Sequence, residues 1–378
     1  MPTETTPRAL YLSIDLFAHG GIQRYSRYEI RALHAICGGQ VRVCSFGPRT
    51  DHGFETPVDV SVLGTGRGWL ARGRFIAGVA WEAMTWKPSL VICDHVNLAP
   101  LTWAIARLVG AQYIVNAYAI EVWGALSTSR RAALCAADRV VSDCDFTRQY
   151  LERAYPKLRG RVELLRDCVD TAAFSPADGH PLPAGQPGAL HVLTVSRLLP
   201  GRFKGHGTVL RAAALLKKRG LRVEYLVAGD GPDRERIEAL ARSLGVNDQL
   251  HFLGRVADED LPAVYARCDV FALVSLFSLA RPPQGEGVPL VVLEAQACGK
   301  PVITSMCDGS AESILDGETG HLVTPNVPEE VADALVRLWP HAVRQRMGAA
   351  ARRFVEDHFA YPVFANTLAG ILRRVSVT

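Results

Sequence analysis

A pair of carboxylates in the glycine-rich stretch 285–303 is the part of the chain best suited to chemistry. Glu286 lies between Gly285 and Gly287, and Glu294 follows after seven intervening residues. At about 1.5 Å of rise per helical residue, the two acids lie at most roughly 12 Å apart along a helix axis. That span would let one carboxylate meet a sugar hydroxyl and the other a ribose hydroxyl, with a diphosphate between them.

The surrounding residues predict the elements that must position this pair. A helix is expected to begin at Pro289 and end at Gly299, and Pro301 then turns the chain into a strand. A helix N-terminus behind flexible glycines presents unpaired N–H groups and a positive dipole end, which suits a phosphate. A strand–loop–helix unit with merely solvated acids would have the same pattern, because exposed glutamates are usually solvated.

This stretch closely resembles the E-x7-E signature of the retaining glycosyltransferases of family 4, which have the GT-B fold. The resemblance implies an α/β protein with two Rossmann-like parallel-sheet domains facing each other across a cleft. It also implies transfer of a hexose-type sugar from a UDP- or GDP-sugar to an acceptor hydroxyl, with retention at the anomeric carbon. Glu286 would position the sugar and Glu294 the ribose, and the neighbouring donor-binding residues would be Gly287, Val288 and Leu290.

Two cations resemble the cationic pair of the same family. Arg197 ends a predicted strand in Ser-Arg-Leu, and Lys204 precedes Gly205 at the start of a predicted helix. Ligands of open parallel sheets bind beyond the carboxyl ends of the strands, so both cations are placed to neutralise a departing diphosphate. With Glu286 they are the predicted catalytic residues, although Arg197 read alone could be structural.

Further glycine-rich turns predict the rest of the donor site. Gly229 lies in a Gly-Asp-Gly-Pro-x-Arg turn that we interpret mainly as packing close to the donor. Arg255 and Val256 belong to a loop that resembles the family segment holding the nucleobase through main-chain groups. Gly20 and Gly21 resemble the family's Gly-Gly loop, whose bare backbone can approach a donor diphosphate or an acceptor.

Three residues are predicted on the acceptor side. His95 directly follows a predicted strand, although a lone histidine is more often structural than catalytic. Tyr118 and Ala119 stand where the family often has His-Gly ahead of an acid, which here is Glu121. Glu121 is the stronger candidate for substrate contact, whereas Tyr118 either donates a hydrogen bond to substrate or is a core aromatic.

The chain is long enough for two domains, since 378 residues exceed what one hydrophobic core usually organises. Short apolar runs alternating with helical patterns predict parallel sheets, with strands at 10–14, 41–44, 89–93, 112–115, 190–195 and 223–227. We predict an acceptor-binding domain at 1–175, a Pro/Gly-rich linker at 176–189 and a nucleotide-sugar domain at 190–355. A C-terminal helix within 356–378 is expected to pack back on the first domain.

Charge and composition limit the classes of partner that the protein is expected to bind. The net charge of +4 arises within the first 175 residues, where basic and aromatic residues alternate in 67–75 and 153–166. These segments predict peripheral contact with anionic lipid or with a phosphorylated acceptor, or else a solvated helix face. No nucleic-acid motif, apolar membrane span or signal core is found, so a cytoplasmic protein, in contact with the inner face of the membrane if at all, is expected.

Neither a metal nor another cofactor is expected. The nine cysteines show no CxxC spacing, and the acidic clusters at 143–145 and 258–260 precede helical patterns, where Asp is a common N-cap. No residue suggests itself as a carboxylate nucleophile, so front-face substitution is preferred, with the diphosphate accepting the acceptor's proton. The acceptor could be a glycan, a lipid-linked glycan or a small molecule. The rival functions are a GT-B sugar-nucleotide epimerase and a catalytically silent sugar-nucleotide-binding protein.

Overall fold

The computed structural model describes residues 7–49, 57–66, 68–176, 188–201 and 204–376, which form two compact units. The first unit comprises the described parts of Met1–Cys168 and Tyr361–Thr378, and the second comprises those of Val169–Ala360. Each unit is built on one parallel sheet whose strands are connected mainly through helices. The predicted fold class, α/β with two Rossmann-like parallel-sheet domains, is confirmed.

The first sheet has seven parallel strands in the order β3-β2-β1-β4-β5-β6-β7. They are β1 Ala9–Ile14, β2 Val41–Phe46, β3 Val60–Gly64, β4 Leu90–Cys93, β5 Gln112–Ala117, β6 Arg139–Ser142 and β7 Val162–Leu164. The strand order reverses at β1, which pairs with both β2 and β4, and ligands of open α/β sheets bind at such a switch point. The connecting helices are α1 Gly21–Ile36, α2 Trp69–Trp86, α3 Ala99–Val109, α4 Ala119–Val122, α5 Thr128–Ala136 and α6 Asp145–Ala154.

The second sheet has six parallel strands in the order β10-β9-β8-β11-β12-β13, with its own switch point at β8. The strands are β8 Leu190–Val195, β9 Val223–Ala228, β10 Leu250–Gly254, β11 Val270–Leu273, β12 Val302–Ser305 and β13 Gly320–Val323. The helices are α7 His206–Lys218, α8 Arg234–Ser243, α9 Leu261–Ala266, α10 Leu290–Ala297, α11 Pro328–Arg337 and α12 His341–His358, followed by α13 Tyr361–Ser376. All six predicted strands lie within or overlap observed ones.

The chain enters the second unit at Val169 and returns to the first unit at Tyr361. The N–H of Val169 donates to the carbonyl oxygen of Phe359 at 2.9 Å, which ties residue 169 to the second unit. Helix α13 belongs to the first unit, where Phe364 packs edge-on against Tyr25 and Arg31 lies over the ring of Tyr361. Of the predicted linker 176–189, residues 177–187 lie outside the described residues.

Arg352 of α12 fastens several parts of the second unit together. Its guanidinium donates to the carbonyl oxygens of Thr171 at 2.9 Å, Phe174 at 2.6 Å and Ala297 at 2.7 Å. Ala297 is the last residue of α10, so one side chain holds the end of this helix against the segment that enters the unit.

We expect Arg352→Met to lower the free energy of unfolding of the second unit by about 2–4 kcal/mol, because backbone carbonyls lose a charged donor while the aliphatic packing is kept. Arg353→Met is the matched control, since Arg353 is the exposed neighbour on the same helix. Urea unfolding of both variants measures the difference. Equal stabilities of the two variants would contradict the role given to Arg352.

A carboxyl group is fully buried in the core of the first unit. Tyr11 and Asn116 both donate to Oε2 of Glu29, at 2.7 and 2.6 Å, and Oε1 has no hydrogen-bond partner among the described residues. Burial raises the pKa of Glu29 from 4.5 to about 7, and burial also raises the pKa of nearby Asp94 to about 6.

The raised pKa of Glu29 predicts a pH-dependent stability. Between about pH 4.5 and 7 the folded state keeps a proton that the unfolded state has released, so the free energy of unfolding falls as pH rises through this window. Glu29→Gln should flatten that fall by up to about 3 kcal/mol, at about 1.4 kcal/mol per unit of pKa shift. Unfolding curves at pH 5 and pH 7.5 test this, and an unchanged pH dependence in the variant would refute it.

Candidate functional site

Two of the three predicted catalytic residues, Lys204 and Glu286, meet at the carboxyl edge of the second sheet. The ammonium of Lys204 donates to Oε1 of Glu286, and the hydroxyl of Ser275 donates to the same oxygen at 2.6 Å. Both charged side chains are mostly buried, and no described residue donates a hydrogen bond to the other oxygen, Oε2, of Glu286. The arrangement is a fixed cation–carboxylate pair with one carboxylate oxygen left for a ligand.

Gly205 explains how Lys204 reaches this position. Its φ is 83°, in the left-handed region, and a Cβ here would overlap the carbonyl oxygen of Val274. The start of α7 therefore lies directly against the backbone that leaves β11, one residue before Ser275. Any side chain at position 205 would push Lys204 away from Glu286.

A chain of buried hydrogen bonds fixes the same strand ends. Thr194 donates to the carbonyl oxygen of Ala272, and the only proton of the Tyr225 hydroxyl goes to Thr194 at 2.9 Å. His206 must then donate from Nδ1 to the oxygen of Tyr225, at 2.8 Å, and accept at Nε2 from the hydroxyl of Ser196, at 2.9 Å. Burial lowers the pKa of His206 to about 4, so the imidazole is neutral.

This chain of contacts ties β8, β9 and β11 to the first residue of α7, two positions after Lys204. Sequence analysis missed it, because a histidine followed by a glycine at a helix start carries no signal of partners on three strands.

Asp308 holds the backbone of Glu286. Its carboxylate accepts from the N–H of Glu286 at 2.8 Å and from the N–H of Ser310 at 3.0 Å, while Gly309 donates to the carbonyl oxygen of Glu286 at 3.1 Å. Burial and the neighbouring charge of Glu286 raise the pKa of Asp308 to about 6. The contact joins residues 22 positions apart, so it could not be recognised from the chain alone.

Helix α10 follows directly, and its two ends explain its placement. It begins at Leu290 after Pro289, and no side chain caps its N-terminus. It ends in a Schellman motif. The backbone N–H of Gly299, which has a φ of 72°, donates to the carbonyl oxygen of Gln296, and the backbone N–H of Lys300 donates to the carbonyl oxygen of Ala295.

The residues predicted to bind the donor at the start of this helix differ in exposure. The side chains of Val288 and Leu290 are buried, whereas Gly287 is partly exposed. A ligand contact at Val288 or Leu290 would therefore use backbone N–H groups. Such groups at a helix N-terminus suit a phosphate.

Glu294 lies in the interior of the second unit, on the second turn of α10. Only 1% of the residue is exposed, and the hydroxyl of Tyr265 donates to its Oε2 at 2.7 Å. The structure thus gives the two glutamates of the signature different partners. Contact of Glu294 with a ribose stays a prediction.

The remaining predicted donor residues lie at ends of neighbouring strands. Arg197 follows β8, is exposed, and its side chain makes no hydrogen bond or ion pair with a described residue. Gly229 follows β9, donates to the carbonyl oxygen of Gly254 at 2.7 Å, and has no room for a Cβ against Ser196. Arg255 and Val256 follow β10, with the former exposed and the latter partly buried.

In the first unit, the Gly-Gly loop and the acceptor-side residues also follow strands. Gly20 precedes α1 and Gly21 begins it, and neither an acid nor a side-chain cap occupies that first turn. His95 follows β4, and its Nδ1 accepts from the N–H of Asn97 at 3.0 Å. The proton of the neutral ring is then on Nε2, which lies 3.3 Å from Oε2 of Glu121.

Tyr118 occupies the core of the first unit rather than its edge. Its ring packs edge-on against Tyr25 with centroids 5.1 Å apart, and its buried hydroxyl has no hydrogen-bond partner among the described residues. This placement agrees with the alternative in which Tyr118 is a core aromatic. Ala119 has a φ of 27°, so alanine keeps a backbone conformation that favours glycine, the residue that the resembling family often has here.

Two further properties concern metals and membranes. Within the described ranges, no group of three or more His, Cys, Asp or Glu side chains is placed to hold a metal ion. Asp145 begins α6 and pairs with Arg148, and Asp260 directly precedes α9. No helix in the described part of the chain is both long and apolar enough to span a bilayer.

Comparison with known proteins identifies relatives by sequence. The family described as "Glycosyl transferases group 1" matches residues 186–354. The GDP-mannose-dependent alpha-(1-6)-phosphatidylinositol monomannoside mannosyltransferase of Mycobacterium tuberculosis is 32% identical over 278 residues, which cover 71% of each protein. A D-inositol 3-phosphate glycosyltransferase of Rhodococcus erythropolis is 30% identical over 324 residues, covering 82% of this chain and 65% of that protein.

Solved structures share the fold at lower identity. Sucrose-phosphate synthase from Thermosynechococcus elongatus has a TM-score of 0.81 at 21% identity, covering 98% of this chain and all of the other. The Anabaena protein HepE in complex with UDP has a TM-score of 0.77 at 18% identity, covering 97% and 100%. These likenesses show the fold alone, that of the GT-B glycosyltransferases. Because a relative of 32% identity matches more than two thirds of both chains, the protein belongs to the group 1 glycosyltransferases.

Proposed function

We propose that the protein is a retaining, family 4-like hexosyltransferase that transfers a sugar from UDP or GDP to an acceptor hydroxyl without a metal ion. The observation that carries this proposal is the Lys204–Glu286 pair at the carboxyl edge of the second sheet. The mannosyltransferase relative is named for a GDP-mannose donor, and HepE was solved with UDP, which supports a nucleotide-diphosphate sugar as the donor class.

Positive groups around this edge would stabilise the departing diphosphate. An ammonium has three N–H donors, so Lys204 can serve phosphate oxygens while it keeps its bond to Glu286. The exposed guanidinium of Arg197 and the uncapped N-terminus of α10 supply further positive potential. Such preorganised groups act most strongly where charge grows during the reaction.

Glu286 would hold the sugar. Its Oε1 is occupied by Lys204 and Ser275, so Oε2 is the oxygen available to a sugar hydroxyl. Its negative charge also favours the positive charge that develops at an oxocarbenium-like anomeric carbon. In the step proposed, the bond from the anomeric carbon to the diphosphate oxygen breaks, and its electron pair leaves with the phosphate. The acceptor oxygen bonds to the same face, and its proton passes to the departing phosphate oxygen.

The acceptor side would depend on the first unit. His95 presents a fixed tautomer and, with Glu121, forms a polar pair after β4 and β5. This pair suits hydrogen bonds to a hydroxylated acceptor, either a glycan, a lipid-linked glycan or a small molecule. We place the reaction in polysaccharide or lipid-linked glycan biosynthesis in the cytoplasm, with peripheral contact to the inner face of an anionic membrane.

Incubation with a panel of UDP- and GDP-sugars tests this function directly. Release of the nucleotide diphosphate, with an acceptor glycoside of unchanged anomeric configuration by NMR, is the expected result. Isomerised donor in the absence of acceptor would identify an epimerase instead. Donor binding without any turnover would identify a silent binding protein.

The two glutamates should differ in their kinetic effects. Glu286→Gln should lower transfer by about 100-fold or more, because a charge-complementary sugar contact is lost. Its affinity for free UDP or GDP should stay unchanged or rise, since Lys204 no longer shares its charge with a carboxylate. Glu294→Gln should instead weaken nucleotide binding by about 1–3 kcal/mol.

Calorimetric titration with the nucleotide and transfer rates separate these effects. Tyr265→Phe is the matched control, because it removes the hydrogen bond to Glu294 and leaves the carboxylate in place. Equal loss of nucleotide affinity in both glutamate variants would refute the division of roles. Equal loss in Glu294→Gln and Tyr265→Phe would show that Glu294 acts through its hydrogen bond with Tyr265 rather than through contact with the ribose.

Activity should also survive exhaustive chelation. Lys204, Arg197 and the start of α10 provide the positive charge that a divalent ion supplies in other sites. Transfer rates measured with and without EDTA are expected to agree. Loss of turnover with EDTA that Mg²⁺ or Mn²⁺ restores would overturn the metal-independent mechanism.

A further inference from the structure

Helix α2 of the first unit has an inner face that accounts for its packing. Ala71, Phe75, Val79 and Ala83 recur every four residues and are buried. Phe75, which lies in a segment predicted to contact membrane, packs edge-on against Phe46 with centroids 5.5 Å apart and is unavailable for such contact. Of that segment, Arg67 lies outside the described residues.

The outer face of the same helix is apolar as well. Its large side chains are exposed to the extent of 80% at Trp69, 67% at Trp81, 59% at Leu70, 50% at Ile76 and 48% at Met84. At 100° per residue they share one side of the helix with Gly73, Ala77 and Ala80. From Trp69 to Met84 this face extends about 22 Å along the axis, at 1.5 Å per residue.

Such a surface requires a partner. Single exposed apolar side chains are normal on a protein surface, but a contiguous apolar strip marks an interaction site. Two of the five large side chains are tryptophans, which favour the boundary between water and lipid because the ring is apolar and its N–H is polar.

The charges on α2 indicate which partner fits. Arg72 and Arg74 are exposed on either side of the apolar strip, and neither forms a hydrogen bond or ion pair with any residue that the structure describes. The single acid of the helix, Glu82, is held by Arg42 at 2.6 Å. An apolar strip flanked by uncompensated arginines is complementary to a bilayer surface with anionic headgroups.

We propose that the outer face of α2 docks the protein on anionic bilayers, with the helix lying in the plane of the interface. The tryptophans and aliphatic side chains enter the headgroup region, and Arg72 and Arg74 contact lipid phosphates. The proposal assigns the membrane contact of the proposed function to one face of one helix. It rests on the proposed function in one respect only: docking would bring the protein to a lipid-linked acceptor.

Sedimentation with sucrose-loaded vesicles tests the surface. The protein should pellet with phosphatidylglycerol-containing vesicles, less with pure phosphatidylcholine, and less at 1 M than at 0.1 M salt, because the Debye length falls from about 10 to about 3 Å. Arg72→Gln/Arg74→Gln should weaken partitioning about 25-fold, at about fivefold for each basic residue. Trp69→Ser/Trp81→Ser should weaken it at least as much.

Matched controls lie in the second unit, where Arg353→Gln and Leu315→Ser change an exposed cation and an exposed aliphatic side chain. Both should pellet like the unmodified protein. Trp69→Phe/Trp81→Phe should still bind but lose most of the fluorescence quenching by brominated lipid, which reports that these two rings enter the bilayer.

Three outcomes would overturn the proposal. One is failure to pellet with any vesicle, and another is pelleting that the α2 variants do not alter. The third is a dimer, detected by light scattering, that the tryptophan-to-serine variants dissociate while the intact protein ignores vesicles, because the face would then bind a second copy. Release of nucleotide from donor sugar without vesicles should be the same in all variants. A protein that docks but never turns over donor would refute the transferase function and leave the docking surface standing.

Discussion

Close backbone contact between the start of α7 and the residue after β11 is the constraint on which the candidate site depends. Gly205 permits this contact, because any Cβ would overlap the carbonyl oxygen of Val274. The contact places Lys204 beside Ser275 and brings it to a carboxylate 82 positions later in the chain. Burying most of an ammonium and a carboxylate is costly unless they are paired, so the pair and the backbone contact depend on each other.

Two groups around the pair, His206 and Asp308, keep it in place. His206 is uncharged and fully hydrogen-bonded, so it links three strand ends to α7 without adding a positive charge beside Lys204. Asp308 fixes the backbone of Glu286 by accepting a hydrogen bond from its N–H. The charge presented to a ligand is therefore set by Lys204, Glu286, the exposed Arg197 and the carboxyl group of Asp308. The negative charge of a diphosphate leaving group would be attracted chiefly to the ammonium of Lys204.

The sequence predicted those parts of the molecule whose signals are local. Six apolar runs identified strands, and the glycine and proline around Glu286 identified a helix start, although α10 begins one residue later than expected, at Leu290. The short strands β3, β6, β7, β11 and β13 were missed because three to five residues beside helical patterns carry little periodicity. Contacts between distant positions were not predictable, including those of Glu286 with Asp308 and of Glu294 with Tyr265. Phe75 lies in the segment 67–75, which was predicted to contact a membrane or to form a solvated helix face, yet it is buried at a four-residue spacing from Ala71 and Val79.

The first unit shows how one departure from a family pattern changes which groups are available for chemistry. Tyr118 stands where the resembling family often has histidine, and its ring fills the core against Tyr25 instead of reaching the strand edge. Ala119 nonetheless keeps the left-handed backbone of a glycine, so the start of α4 is held in place at a cost in local strain. Glu121 therefore still reaches the ring of His95, whose tautomer is set by the N–H of Asn97. Of the three acceptor-side residues predicted from the sequence, the two that remain partly exposed are thus the two that bind each other. The imidazole at this edge thus donates from Nε2 and is already oriented by a carboxylate.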